Sequence, residues 1–328
     1  MATRCTLGLD IGTSSSKGVL VDYSSGRTVA SATVAHSVER PRAGHVEMDG
    51  GIWWDEFVEL SRQLLTDPRD VGIVAVGVSG MGSCVLLADL TGEPVRPAAL
   101  YGVDTRATAQ IRRMTAELGV DEVSRVGGLT LTTQAAGPKI VWVCEEEPEA
   151  YARARQFFMP ASWRAFRLTG NYVLDHQSAS QCSPLHDVER GAWHESWWDR
   201  FARGIERPEL LWAGDIARKV TENADIRRIV AVGGGTQRRF WLQLVSDMAG
   251  LIQEVSRTTV GASSGAAFLA ACALAEADTI RIENWNPVAE AIIPDTRTTA
   301  SHDELFALYL CLYAGTKDVA HALAARQQ

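Results

Sequence analysis

The sequence predicts an α/β chain of two domains, and three stretches carry that reading. The first is CTLGLDIGTSSSKGVLVD at 5–22, two apolar runs around a Gly/Ser/Thr turn, the pattern of a β-hairpin. The second is VGIVAVGVSG at 71–80, a nearly unbroken apolar run of the kind expected of a strand covered on both faces. The third is RIVAVGGGTQRRFWLQLVSDMAG at 228–250, which reads as a buried strand, a glycine loop and a helix. A hairpin beside buried strands, with helices between them, gives a mixed sheet.

Taken in order, the hairpin ends in a turn suited to phosphate. Gly12 lets the backbone approach a ligand closely, and Thr13 to Ser16 offer N–H and hydroxyl donors to anionic oxygens. Asp10 puts a lone carboxylate beside the turn, where a Mg²⁺ escorting a nucleotide would sit, and Lys17 adds a point charge. An ordinary surface hairpin with a serine-rich turn is the other reading of these residues. A third extended stretch covers 28–38. Asp49 is placed to cap a helix whose Trp53, Phe57, Leu60 and Leu64 recur at helical spacing. Beyond 71–80, Met81-Gly82-Ser83 leads into the strand CVLLAD and the turn TGEPV. ALYGVDTRA then precedes a helix from about Asp104, with Ile111, Met114 and Leu118 on one face. Asp104 would either bind hydroxyls through both oxygens or cap that helix. Near the end, Ser301 and Glu304 form a capping box ahead of Leu305, Leu308, Tyr309 and Leu312.

The composition excludes several classes. The chain has 328 residues, 46% hydrophobic and 22% charged, with a net charge of −8, which argues against a nucleic-acid or anionic-membrane surface. No window reaches a membrane-spanning length, and the N-terminus has no signal-peptide core, so a cytoplasmic location is expected. Cys5, Cys84, Cys144, Cys182, Cys272 and Cys311 are scattered without a CxxC pair and mostly in apolar runs, the pattern of reduced core thiols. The seven histidines are dispersed, so no metal cluster is visible. His45 reads as a turn residue, Trp53-Trp54 and Trp197-Trp198 as packing aromatics, EEEPE at 145–149 as a solvated helix end, and Arg238-Arg239 as water-facing.

DIGTSSSKGVLVD, GHVEMDGGIWW, VGVSGMGS, ALYGVDTRA, GGLTLTTQAAGPKIVWV and RLTGNYVLDHQSASQ stand in the order seen in the FGGY family of carbohydrate kinases, which the chain resembles over 5–220. The resemblance implies a ribonuclease-H-like/actin-like N-terminal domain at 1–222, binding sugar and phosphate, and an incomplete second domain of the same type at 226–328, binding adenosine. It implies ATP with Mg²⁺ as cofactor and a sugar or polyol as acceptor. Gly12, Thr13, Ser14 and Lys17 match the phosphate side, Gly233, Gly234, Gly235 and Thr236 the adenosine side, and Asp10 the metal position. Met81, Gly82, Ser83, Asp104 and Gln134 match the acceptor side by position. Lys139, Trp142, Glu145 and Glu146 fit the family's lysine-centred signature, whereas Gln134 and Ala136 depart from it. Glycerol kinases carry an Arg-Glu pair, and xylulokinases a Met-His pair, where this chain reads Met81-Gly82-Ser83, so a pentulose, hexose or polyol all remain open.

The same resemblance exposes an internal gap. Between VTEN (220–223) and IRRIVAVGGG, relatives hold the second domain's opening strands, a second phosphate turn and the catalytic aspartate. Asp215 matches a position before the gap, and Asp225 stands in a polar stretch that marks no base. The expectation is therefore an ATP-dependent carbohydrate kinase by family, transferring the γ-phosphoryl to a hydroxyl, without an identified base. The alternative is an inactive nucleotide- or sugar-binding remnant with a regulatory or partner-binding role. With few strands left to cover them, the apolar helices at 240–251, 262–274 and 305–323 should dock on the first domain, dock on a second copy or stay partly exposed, so a homo-oligomer or an aggregation-prone chain is expected.

Overall fold

The N-terminal hairpin forms two strands, β1 (Thr3–Ile11) and β2 (Ser15–Asp22), and β3 (Thr28–Ala35) extends them antiparallel. After the short β4 (Glu47–Met48) and helix α1 (Gly50–Leu65), strand β5 (Val71–Gly80) returns parallel to β1, giving a four-stranded mixed sheet in the order β3-β2-β1-β5. The computed structural model describes residues 3–66, 71–212, 229–231, 239–249, 251–256, 261–274, 282–298, 301, 304–305 and 307–308. The loop Gly233–Thr236 and most of the final helix lie outside the described residues.

Alternation along β1 assigns its two faces. Cys5, Leu7 and Leu9 share a core with Phe57, Leu60 and Leu64, so one face is covered by α1. The α1 start is as the sequence implies: the Asp49 carboxylate accepts from the Gly51 N–H at 3.0 Å. The other face carries Gly8 and, beside it in register on β5, Gly77. The helix Ala262–Leu274 lies directly on this pair. A Cβ on Gly8 would fall 2.0 Å from the Ser263 carbonyl oxygen, and one on Gly77 1.9 Å from that of Ala266. Two glycines and an alanine-rich helix thus allow backbone to pack on backbone.

The contact makes the first compact unit discontinuous in sequence, Met1–Val220 with Ala262–Ala277, whereas the sequence division ran between 222 and 226. β5 also differs from expectation. Its residues are half-buried, because among the described strands it pairs only with β1 and forms the sheet edge.

The remainder of this unit packs beside the sheet. β6 (Leu86–Ala88) pairs with β8 (Gln156–Phe158), and β7 (Ala98–Ala99) pairs with β4. Helices α2 (Thr108–Leu118), α3 (Val120–Gly127), α4 (Ala136–Glu146), α5 (Pro148–Arg153) and α6 (Pro160–Thr169) surround them. The helix expected from about Asp104 begins at Thr108, and its N-cap Ala107 makes no side-chain cap. Cys5, Cys84 and Cys182 are buried free thiols, but Cys144 is exposed. No described helix is long and apolar enough to cross a membrane.

The second unit, Thr221–Gly261 with Asp278–Gln328, contains a three-stranded sheet. Ile229–Ala231 runs parallel to Gln253–Ser256, which pairs antiparallel with Val288–Ile292. The third strand, VAEAI, escaped sequence reading because its alanines and glutamate give no strand signal. Helix Arg239–Ala249 is tied to it by the Ser246 hydroxyl, which donates to the Ile292 carbonyl at 2.9 Å.

One histidine in the first unit predicts a pH-dependent stability. His186 is 3% exposed, and neither ring nitrogen has a hydrogen-bond partner among the described residues. Burial, with His176 beside it, pulls its pKa from 6.5 down to about 4, against the pull of Asp187. Between those values the unfolded chain binds the proton that the folded chain refuses, so stability rises with pH through this window and is lost as pH falls. Going from pH 7 to pH 5 should cost about 2 kcal/mol through this group. Chemical denaturation of wild type and His186→Phe at both pH values checks it. An equal pH response in the two proteins would exclude the assignment.

Candidate functional site

The chain's chemistry-bearing residues gather where β1 and β5 end. Asp10, Lys17 and Ser79 are register partners across three strands, so their side chains share the face that carries Gly8 and Gly77. The Ser79 hydroxyl donates to Asp10 Oδ1 at 2.8 Å and fixes the carboxylate. Lys17 is exposed.

The turn between β1 and β2 is tightly built. The Gly12 N–H donates to the Ser15 carbonyl at 3.0 Å, and a Cβ on Gly12 would meet that same oxygen at 3.0 Å. Thr13 Oγ1 lies 3.0 Å from the Tyr101 hydroxyl. Neither the Thr13 nor the Ser14 N–H donates to a protein acceptor among the described residues. Two peptide donors beside a carboxylate and a lysine are groups that could bind an anion and one accompanying cation. Among the described residues there is no cluster of three metal-ligating side chains. A single oriented carboxylate fits Mg²⁺, which is held through one or two carboxylates plus the phosphates of its nucleotide.

α6 closes the floor of this region. A Cβ on Gly80 would contact Pro160 at 2.8 Å and Ile11 at 3.5 Å, so the N-terminus of α6 abuts both strand ends. One turn on, Arg164 is fully buried, and its Nε donates to the Trp53 carbonyl at 2.9 Å. Its two terminal nitrogens have no acceptor among the described residues. Burial pulls the guanidinium below its ordinary value, opposed by the charges of Asp10 and Glu56.

The proposed acceptor residues fall into two groups. Gly82 and Ser83 adjoin Gln181, whose Oε1 accepts from the Ser83 hydroxyl at 2.5 Å, with Ser83 buried in a left-handed conformation at φ 59°. Gln134 instead reaches Gly102, whose N–H donates to its Oε1 at 3.3 Å, and Thr133 Oγ1 donates to the Gly102 carbonyl at 3.0 Å. Met81 continues β5 and donates its N–H to Ile11 at 2.9 Å.

Asp104 is 1% exposed, and its oxygens take the Val46 N–H at 2.7 Å and the forked guanidinium of Arg106 at 2.7–3.0 Å. Arg106 continues to Glu47 at 2.7 Å, Glu47 pairs with Arg96, and Arg96 reaches Glu147 at 2.6 Å. Burial pushes the Glu47 carboxyl up, but Arg106 and Arg96 outweigh it and hold it below the usual range. Lys139 completes the cluster. Burial pulls its ammonium down to about 8, against the attraction of Asp104.

Half-buried Glu147 ends this ion-pair chain and Glu145 pairs with Arg113, while Glu145, Glu146 and Glu149 are exposed, as expected of a solvated helix end. His45 is a turn residue as expected, its ring set edge-on to Trp142 with the ring centres 5.3 Å apart. Sequence reading missed Ser79, Gln181, His36, Glu56 and Arg164. Ser79 alone left a signal, as the polar residue that breaks the apolar run of β5.

The model of the FGGY family of carbohydrate kinases, N-terminal domain, matches residues 5–231, and that of the C-terminal domain matches 192–274. A xylulose kinase of Lactococcus lactis is 30% identical over 219 residues, which cover 64% of this chain and 42% of the relative. A xylulose kinase of Streptomyces rubiginosus is 35% identical over 176 residues, 53% of this chain and 35% of its own. The chain spans less than half the length of these curated relatives. Among solved structures, a gluconate kinase from Lactobacillus acidophilus superposes with a TM-score of 0.81 at 15% identity, covering 95% of this chain and 98% of its own, and shows the shared actin-like α/β fold. With its N-terminal model spanning more than half of the sequence, the chain belongs to the FGGY family of carbohydrate kinases.

Proposed function

We propose that this chain carries the phosphate- and acceptor-binding side of an ATP-dependent carbohydrate kinase, which passes the γ-phosphoryl of ATP to a hydroxyl of a sugar or polyol. The turn Gly12–Lys17 carries the reading, with unengaged peptide donors at Thr13 and Ser14 beside a carboxylate fixed by Ser79. Gly12, Thr13, Ser14 and Lys17 would hold phosphate oxygens. Asp10 would hold Mg²⁺, which when bound neutralises charge on the phosphates. Gly233, Gly234, Gly235 and Thr236 are assigned to adenosine on the family resemblance. For the acceptor we assign Met81, Gly82 and Ser83 just beyond β5, with Gln134 and Asp104, on the family resemblance; Ser83 is held by Gln181, Gln134 by Gly102 and Asp104 by Arg106. The printed names of relatives, xylulose kinase and gluconate kinase, point to a polyhydroxylated acceptor.

Asp10→Ala should weaken Mg²⁺–ATP binding by about 10-fold or more, since it removes the one carboxylate at the turn. Titration calorimetry on the two proteins measures this. Equal affinities would mean that the turn is not the phosphate site. A non-catalytic binding role is the second reading, favoured by the absence from 215–228 of a segment to supply the base.

A further inference from the structure

His36 matches no motif, yet it holds the phosphate turn twice. Its backbone N–H donates to the Ser14 carbonyl at 3.0 Å, and its ring Nε2 lies 3.0 Å from the Gly12 carbonyl oxygen. A carbonyl oxygen only accepts, so Nε2 carries a hydrogen. On the other side of the ring, Nδ1 meets both carboxylate oxygens of Glu56 at 2.9 and 3.0 Å; a carboxylate only accepts, so Nδ1–H donates there and the pair sets the ring plane. Glu56 comes from α1, and the charged groups within its surroundings are Arg164 on α6 and, beyond it, Asp10 on β1.

We propose that His36, held by Glu56, is a positioning residue that locks the Gly12–Thr13 peptide with its N–H turned outward as a phosphate donor. The reasoning is stereochemical. In a trans peptide, the C=O and the following N–H point in opposite directions. His36 and Glu56 stand on the α1 side of the sheet and draw the Gly12 oxygen to that side. The Thr13 N–H is thereby directed to the opposite side, where Asp10, Lys17 and Ser79 project. Gly12 alone imposes little conformational preference, so an unheld carbonyl is free to turn outward. An outward oxygen would face the anion with an acceptor instead of a donor. The Ser14 carbonyl is held by the backbone N–H of the same residue, so the side chain and the main chain of His36 each fix one carbonyl of the turn.

This inference rests on the turn being the phosphate site, and the test separates the two. Mg²⁺–ATP affinity is measured by calorimetry for wild type, His36→Phe, His36→Gln and Asp10→Ala, with melting temperatures alongside. Phenylalanine keeps the ring but donates nothing, whereas glutamine keeps an N–H donor. His36→Phe should weaken binding by roughly 10-fold, the worth of one charge-assisted hydrogen bond. His36→Gln should return to within about three-fold of wild type whatever the order of melting temperatures. Wild-type affinity in His36→Phe together with loss in Asp10→Ala overturns the lock and leaves the phosphate site standing. No binding by wild type overturns both. If His36→Phe does not fold, long-range proton–nitrogen spectra of the histidine rings decide, and a His36 Nε2 without hydrogen rules the lock out.

Discussion

Incubated with Mg²⁺–ATP and a panel of pentuloses, hexoses and polyols, the purified chain is expected to release ADP at well under about 1 s⁻¹, the lower end of the kinase range. The expectation rests on the sequence around residues 220–228, where the family resemblance identifies neither a catalytic aspartate nor a second phosphate turn. Without a positioned general base, the acceptor hydroxyl must lose its proton to water, at a cost of about 10²–10⁴ in rate. The unmatched second phosphate turn removes further stabilisation of the transferring group. A coupled ADP-release assay reads the outcome. Turnover at about 1 s⁻¹ or faster would show that another residue supplies the base, and Asp225→Asn is then the first variant to make.

Replacing Arg106 with methionine is expected to destabilise the first unit by about 3–5 kcal/mol, the usual result of removing one partner from a buried ion pair. Asp104 would keep the Val46 N–H but lose the guanidinium fork, and Glu47 would keep only Arg96. Such a loss consumes much of a typical folding free energy of about 5–15 kcal/mol. Arg106→Lys should restore little, because a single ammonium cannot bridge two carboxylates with the geometry of the fork. Urea denaturation measures both variants. A shift below about 1 kcal/mol for the methionine variant would mean that water reaches the abandoned carboxylates.

The features legible in the sequence were those set by neighbours in the chain. Asp49 two residues before Gly51, and four apolar residues at helical spacing, specify α1 without help from elsewhere. The hairpin and its glycine turn are equally local, so Asp10, Gly12, Thr13 and Lys17 stand out in the sequence as one candidate cluster. What escaped depends on distant partners. Asp104 was read as a helix cap or a hydroxyl ligand; its fork to Arg106 is local, but Val46 and Glu47, which complete the buried chain, come from more than 50 residues away. His36, Glu56 and Arg164 are far apart in sequence and meet only through the sheet, α1 and α6. β5 was taken as fully covered because an apolar run reports hydrophobicity and not its place in the strand order.

The helix on Gly8 and Gly77 has a consequence for the order of synthesis. Ala267 must come to rest against Gly8, so the ribosome adds roughly 250 residues before that face of the first sheet can be sealed. At about 5–20 residues per second, the nascent strands wait on the order of ten seconds or more with a glycine-floored apolar face open to solvent. The first strands to emerge are therefore among the last to reach their final packing. Such long-range closure is slow for topological reasons, and it makes the growing chain a natural client for chaperones that shield open sheets.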